Sequence, residues 1–438
     1  FWVTKNHKKL GGKAMKRKVM LSLFSVLLLL SVFLAGCSDK ESAGGSSNEK
    51  VTLKIWTHPF MGGDDIGGEE KKFWDNAISG FEKENPNIKV DLQVLPWANR
   101  EEKILTALAS KNGPDAFYSI PDQLSQYVSM NIIAPINDHV DKKTLEDYNE
   151  AALDVVTYDG KAYGLPMLNS VMTYYYNLDL IKAAGGDPNN LPETWNELEA
   201  LGPKVKEQGK FLINFSGGGT PNMSIYPFIW QAGGDVINKK GDIKVNSPES
   251  VEAYEYINNL FKKGYLSKDT ATETDGGMAN FMAGKLAVLM YPNNFVPANR
   301  DKDLGFEWGV GPILKNKEQV TYGTTGSYVV PTSSKHQKEA AKFVEYLTNT
   351  ENMSAFCKMA GYIPPKKSAA NIYEGDEMMS KLVEQAKVAN PGVLHPVGRK
   401  IGPDVQSSFQ KVLLGESSPK ESIKALEEKI QTTMDQEG

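Results

Sequence analysis

The chain has 438 residues, 40% of them hydrophobic, 24% charged, with a formal charge of −5. That length exceeds what one core usually supports, so two lobes are expected. Two cysteines and five scattered histidines without a His-x-x-x-His spacing argue against a Cys/His metal site, and no cofactor is expected.

In chain order, Lys16, Arg17 and Lys18 precede an apolar block at 19–34, only 16 residues long with three serines, whereas a membrane-crossing helix needs about 20. Small residues follow, and the order cationic, apolar, small is that of a secretory signal. Leu34, Ala35, Gly36 and Cys37 resemble a bacterial lipobox. The resemblance implies a lipoprotein signal peptide at 15–36 and a diacylated Cys37 as first mature residue; a signal that merely contains a cysteine is the alternative. Residues 1–14 do not belong before such a signal, so Met15 is the expected start and 1–14 upstream translation. The first 36 residues hold seven Lys or Arg and no acid, which leaves 42 basic residues against 54 acidic, a mature charge of −12. Such a charge argues against nucleic acid or an anionic membrane surface as partner. Membrane attachment then comes through lipid alone, for which two acyl chains suffice. Cys357 is left without a second cysteine, so no intramolecular disulfide is expected.

Residues 37–50 are small, polar and glycine-rich, the composition of a flexible tether. Residues 51–56 alternate as a strand, and 71–83 carry Phe73, Trp74, Ala77, Ile78 and Phe81 at helical spacing. A second strand at 88–94, a helix at 101–110 and a short strand at 116–118 follow. This alternation predicts an α/β fold, with mainly parallel sheets flanked by helices. Residues 172–177 read as extended, 178–184 as helical, and Pro192 to Trp195 open another helix. Residues 281–290 pass from a helix end through Gly284 into a buried strand. Helices are expected at 335–348, 381–389 and 419–433.

Several motifs then stand in a recognisable order: FEKENPNIKV at 81–90, GPD at 113–115, YGLP at 163–166, YYNLDL at 175–180, PETW at 192–195, FMAGKLA at 281–287 and AAKFVEYL at 340–347. Together they resemble the family 1 extracellular solute-binding proteins of carbohydrate ABC importers, the maltose-binding-protein-like family. The resemblance implies two α/β lobes joined by hinge strands, with a sugar or oligosaccharide held in the cleft between them and delivered to the permease subunits of a membrane transporter. It implies lobe 1 at 51–166 and 297–364, lobe 2 at 167–296 and 365–438, no enzymatic activity, and a monomer anchored on the outer face of a Gram-positive cell membrane. A sugar sensor or adhesin, or a lipid-anchored glycosidase, are the alternatives.

A pyranose offers an apolar face and a rim of hydroxyls, so its site needs aromatic platforms and planar polar groups. Asp122 stands where the family has a hydroxyl-binding aspartate, with helix capping as its other role. Trp56 and His58 lie at the end of the first strand, where Trp56 suits core and cleft equally. Ser170 aligns with a position that often carries glutamate. Tyr226 aligns with a stacking tryptophan, and Trp230 follows it one turn later. The glycine-rich run 216–219 lacks the Gly-Lys-Ser or Gly-Lys-Thr of a phosphate loop. Asn293 replaces an expected tryptophan, with Phe295 nearby to supply a ring. GTTGS at 323–327, including Gly326, would bring backbone N–H groups to the ligand, with Tyr328 beside it, and Arg399 would lie on the last crossover.

Overall fold

The computed structural model describes residues 50–62, 65–274 and 277–437. The expectations for the upstream segment 1–14, the signal peptide 15–36, Cys37 and the tether up to residue 49 lie outside the described residues. Strands run, in order, β1 Val51–Thr57, β2 Ile88–Val94, β3 Ala116–Ser119, β4 Thr157–Tyr158, β5 Lys161–Ala162, β6 Leu165–Asn177, β7 Phe211–Ile213, β8 Leu286–Pro292, β9 Trp308–Gly311, β10 Thr321–Val329 and β11 Ala389–Asn390. The first helices are α1 Gly68–Glu84, α2 Arg100–Ala109 and α3 Pro121–Ser129. Observed bounds of the early elements agree with the periodicity within a few residues. Trp74, Ala77 and Phe81 form the buried face of α1, as their spacing requires.

The main sheet has the order β2-β1-β3-β10-β6-β8-β7, with β11 on β10 and β9 on β6. β1 pairs in parallel with β2 and β3, and β7 with β8. The central pairings β3–β10, β10–β6 and β6–β8 are antiparallel. Thus the parallel pairs expected from strand–helix alternation sit at the flanks, and two long strands of opposite direction run through the middle.

Those two strands join two cores. Leu165, Met167 and Leu168 of β6 and Tyr328 of β10 pack with Leu53, Ile55, Trp74 and Phe343. Further along, Met172, Tyr174 and Tyr176 of β6 and Tyr322 of β10 pack with Leu198, Phe228, Tyr254 and Ile257. Each strand leaves one apolar core and enters the other, the arrangement of two lobes on a hinge. β9 pairs with Tyr174–Asn177 of β6, in the second lobe. The expected return to lobe 1 near 296 therefore comes later, along β10. Pairing of β9 with the tyrosine end of β6, rather than distance along the chain, decides where residues 308–311 pack.

In the second lobe, Thr194 accepts from Glu197 N–H while the Glu197 carboxylate accepts from Thr194 N–H, a reciprocal cap on the helix Trp195–Glu207. The helix Gly398–Leu413 buries Ile401, Val405, Phe409 and Val412 against that lobe's core, which leaves its N-terminal turn facing the first lobe. Among the described residues no helix is long and apolar enough to cross a membrane.

Candidate functional site

β1, β2 and β3 are parallel, so the loops that follow Thr57, Val94 and Ser119 open on one edge of the first lobe, where α/β sheets bind ligands. α3 starts almost directly after β3, with extended Ile120 as its N-cap and Pro121 in its first turn. Asp122 follows in that turn, where the helix N-terminus favours a carboxylate. Its side chain bonds no backbone N–H of the helix: the residue is 5% exposed, Oδ1 has no partner among the described residues and Oδ2 turns across the cleft.

Arg399, from the second lobe, meets it. Arg399 Nη1 donates to Asp122 Oδ2 at 3.2 Å, and its Nη2 and Nε donate to Glu101 Oε2 at 2.9 and 3.1 Å. Burial works against the Arg399 charge, but Asp122 and Glu101 outweigh it and push its pKa up. Asn222 Nδ2 of the second lobe approaches Asp122 Oδ2 at 3.5 Å. Around these contacts lies a cavity of about 340 Å³, bounded by Glu101 and Asp122 on one side and by Gly218, Gly219, Asn222, Tyr226, Arg399 and Gln406 on the other.

Two atoms of residues that line this cavity, Asp122 Oδ1 and the Tyr226 hydroxyl, are buried and have no hydrogen-bond partner among the described residues. Buried polar groups are ordinarily satisfied, so these two are free to take partners from a molecule in the cavity. Burial pushes the Tyr226 phenol well above its ordinary range, so it stays a neutral donor at physiological pH.

Of the residues selected from sequence, Asp122, Tyr226 and Arg399 bound the cavity. His58 stands behind its wall. The ring is 1% exposed, Nδ1 donates to Leu95 O at 2.7 Å, and it stacks on Trp97 with centroids 4.4 Å apart. Burial and the charge of Arg100 lower its pKa to about 4, against the Leu95 bond, which raises it. Trp56 donates to Gln93 Oε1 along the sheet and packs beside Phe117 and Leu124. Trp230 is buried one turn from Tyr226, their rings 5.7 Å apart, in the second core.

The remaining expectations turn out to be structural. Asn293 is fully buried, its Oδ1 accepting from Ser170 Oγ and from Val171 N–H, its Nδ2 donating to Gly361 O. Both groups of the amide are thus committed to the hinge, and Ser170 with it. Phe295 packs against Tyr175, Phe281 and Trp308. The segment 323–327 is no ligand loop but the middle of β10, held between β3 and β6. Gly326 is required there because a Cβ would meet the Tyr118 hydroxyl at 1.9 Å. Tyr328 is in the first core, its hydroxyl 2.7 Å from Thr57 Oγ1. Gly217 and Gly218 likewise serve close packing, against the carbonyls of Thr270 and Thr272, although Gly218 also borders the cavity.

Sequence reasoning did not select Glu101 or Asn222, which bound the cavity. One signal was available: α2 follows β2 at the same sheet edge as α3 follows β3, so its first turn had the same claim on the cleft as Asp122. Asn222 had no such signal, since only the folded second lobe carries it to Asp122.

Residues 67–354 match the family model of the bacterial extracellular solute-binding proteins. The chain belongs to this family. A galactooligosaccharide-binding protein of Bacillus subtilis (strain 168) is 25% identical over 420 residues, which span 93% of this chain and 96% of that one. A maltodextrin-binding protein of the same organism is 26% identical over 383 residues, 83% of this chain and 85% of its own. In fold, this solute-binding protein is similar to an ABC substrate-binding protein of Listeria monocytogenes solved in complex with cycloalternan, with a TM-score of 0.76 and 24% identity over 88% of this chain and 100% of that one. Among the described residues of the solute-binding protein no group of three or more His, Cys, Asp or Glu could hold a metal ion.

Proposed function

We propose that this chain is the substrate-binding lipoprotein of an ABC importer, which captures a sugar or oligosaccharide between its lobes and presents it to a membrane permease. One observation carries the reading: a cavity bounded by both lobes, where Asp122 faces Arg399 and Asn222, is lined by the unpartnered buried Asp122 Oδ1 and Tyr226 hydroxyl. A sugar's hydroxyl rim offers both donors and acceptors, and Asp122 Oδ1 as acceptor and the Tyr226 hydroxyl as donor supply their complements. Closure brings both halves of that surface onto one ligand, which shifts the population toward the closed form. The relatives that bind galactooligosaccharide and maltodextrin support the ligand class. The LAGC motif at 34–37 supports acylation of Cys37 and a location on the outer face of the cell membrane, within reach of the permease.

Asp122→Ala tests the site. Loss of a charge-assisted bond to hydroxyls weakens saccharide binding roughly 10- to 100-fold in calorimetry. Unchanged affinity rejects Asp122 as a ligand group. Chromatography of the saccharide after incubation distinguishes a carrier, which returns it intact, from a glycosidase, and loss of uptake on gene deletion distinguishes a carrier from a sensor. Mass spectrometry of the mature N-terminus checks the lipid on Cys37.

A further inference from the structure

A second cavity, of about 130 Å³, lies between the lobes, lined by Phe60, Met61 and Met359 on the first and by Met278, Asn294 and Phe295 on the second. Topology puts it on the cleft already described. The loop after β1 supplies Phe60 and Met61, and β2 and β3, parallel to β1, lead into Glu101 and Asp122 at the same edge. In the second lobe β7 and β8 are parallel, so the turn after β8 that carries Asn294 opens on the same edge as the segment after β7 that carries Asn222. Trp97 links the two cavities along the first lobe: its ring lies 5.5 Å from that of Phe60 and 4.7 Å from the guanidinium carbon of Arg100, the residue before Glu101. That succession of touching side chains is short enough for an oligosaccharide to span.

Buried polar side chains fix both walls of this second cavity. Glu70 of α1 is 1% exposed, and its two carboxylate oxygens accept from the N–H groups of Phe60 and Met61 at 2.9 and 3.1 Å. Asn293, bonded to Ser170, Val171 and Gly361, holds Asn294 in place directly after it. Walls held in this way lose little freedom when a ligand enters. No charged residue lines the cavity, so a carboxylate, phosphate or ammonium group would give up its hydration there without a counter-charge. Among the described residues that line it, one buried polar atom has no hydrogen-bond partner: Asn294 Oδ1, an acceptor that calls for a donor.

We infer that this second cavity takes the acetamido group of an N-acetylated saccharide, with Asn294 as its hydrogen-bond partner. The inference rests on the saccharide-binding reading and narrows it. An apolar cavity of about 150 Å³ accommodates a molecule of benzene's size. An acetamido group is smaller than benzene and a pyranose with its hydroxyls is larger, so the cavity holds a substituent and the sugar ring stays in the cleft. The acetamido N–H donates to Asn294 Oδ1, and the same carboxamide carries N–H donors for the acetamido carbonyl. The methyl packs among Met61, Met278 and Met359, whose unbranched thioethers adapt to an irregular gap. A hydroxyl in its place satisfies Oδ1 but leaves those thioethers without the contacts a methyl supplies.

The experiment is calorimetry of the wild-type chain against matched saccharides that differ at one position, a 2-hydroxyl or a 2-acetamido group, from monosaccharide to tetrasaccharide in the gluco and galacto series. The corresponding 2-amino saccharides, cationic and without the methyl, form a third arm. The acetamido member is expected to bind roughly 10- to 50-fold tighter than its 2-hydroxyl counterpart, the combined worth of one buried methyl and one hydrogen bond. The 2-amino member is expected to gain nothing. Asn294→Leu removes the hydrogen bond and keeps an apolar wall, so the ratio falls to about fourfold, the worth of the methyl alone. Circular dichroism establishes that the variant folds, and the wild-type ratio decides the matter if it does not. A 2-hydroxyl saccharide that binds as well as its acetamido counterpart, a 2-amino saccharide that binds better, or a folded Asn294→Leu with an unchanged ratio overturns the inference and leaves saccharide capture standing. If no saccharide of any arm binds, the saccharide-binding reading falls and the inference with it.

Discussion

His58 shows how one residue couples the cleft wall to solution pH. It is neutral when folded because burial and Arg100 depress its pKa to about 4, from an ordinary value of 6.5. Between those limits the unfolded chain binds a proton that the folded chain refuses, so stability rises with pH across this window and falls as acid is added. The total is about 3 kcal/mol, from about 1.4 kcal/mol per pKa unit. Urea unfolding at pH 7 and at pH 4 should therefore differ by about 3 kcal/mol less in His58→Gln than in the wild type. An equal acid sensitivity in both would show that the ring titrates freely when folded. From sequence, His58 reads as a ligand group because it follows β1 at a carboxyl edge. The edge was right, yet the stack of Trp97 on the ring could not be read from order along the chain.

Elements join at Asn293, just beyond β8. Its amide binds β6 through Ser170 and Val171, and the turn after the helix Thr350–Ala360 through Gly361. Three segments distant in sequence are thus pinned where β6 passes between the lobes. Asn293→Ala leaves the buried N–H of Val171 and the carbonyl of Gly361 without partners, at about 1–3 kcal/mol each. The expected loss of about 2–5 kcal/mol lies at the upper end for a single substitution and is read from the shift of the denaturant midpoint. A loss under about 0.5 kcal/mol would place the amide outside the structural network. Such a role was hidden in sequence because the family pattern led to a tryptophan there, and an asparagine in its place reads naturally as a sugar ligand. By contrast, α1 and β2 were legible, since a period of 3.6 or 2 is a local signal that packing only confirms. β10 was not: in GTTGS two glycines offset the strand preference of two threonines, and the segment becomes a strand because β3 and β6 flank it.

Across the whole molecule, the lobes meet through side chains as well as through strands. Arg399 ties the second lobe to Glu101 and Asp122 of the first, over distances of 2.9 and 3.2 Å. The hinge strands permit the lobes to separate, and the ion pairs add to the closed form alone. Arg399 and Glu101 retain about a quarter of their side-chain exposure, so solvent screens the Glu101 bond, and the tie as a whole stabilises closure by about 1 kcal/mol. Arg399→Ala should lower the ratio of closed to open by roughly fivefold, a change that follows from about 1 kcal/mol. A ligand that requires the closed form then binds more weakly in proportion to the closed fraction lost, even before any direct contact with Arg399 is counted. Small-angle scattering separates the two contributions: the unliganded variant should show a larger radius of gyration than the wild type, whereas both should shrink to the same value when saturated with saccharide. Raising the salt should move the unliganded wild type toward the variant, because the pairs are partly exposed. Equal radii of wild type and Arg399→Ala at every salt concentration would mean that the hinge strands alone set the equilibrium, and that Arg399 acts on the ligand directly.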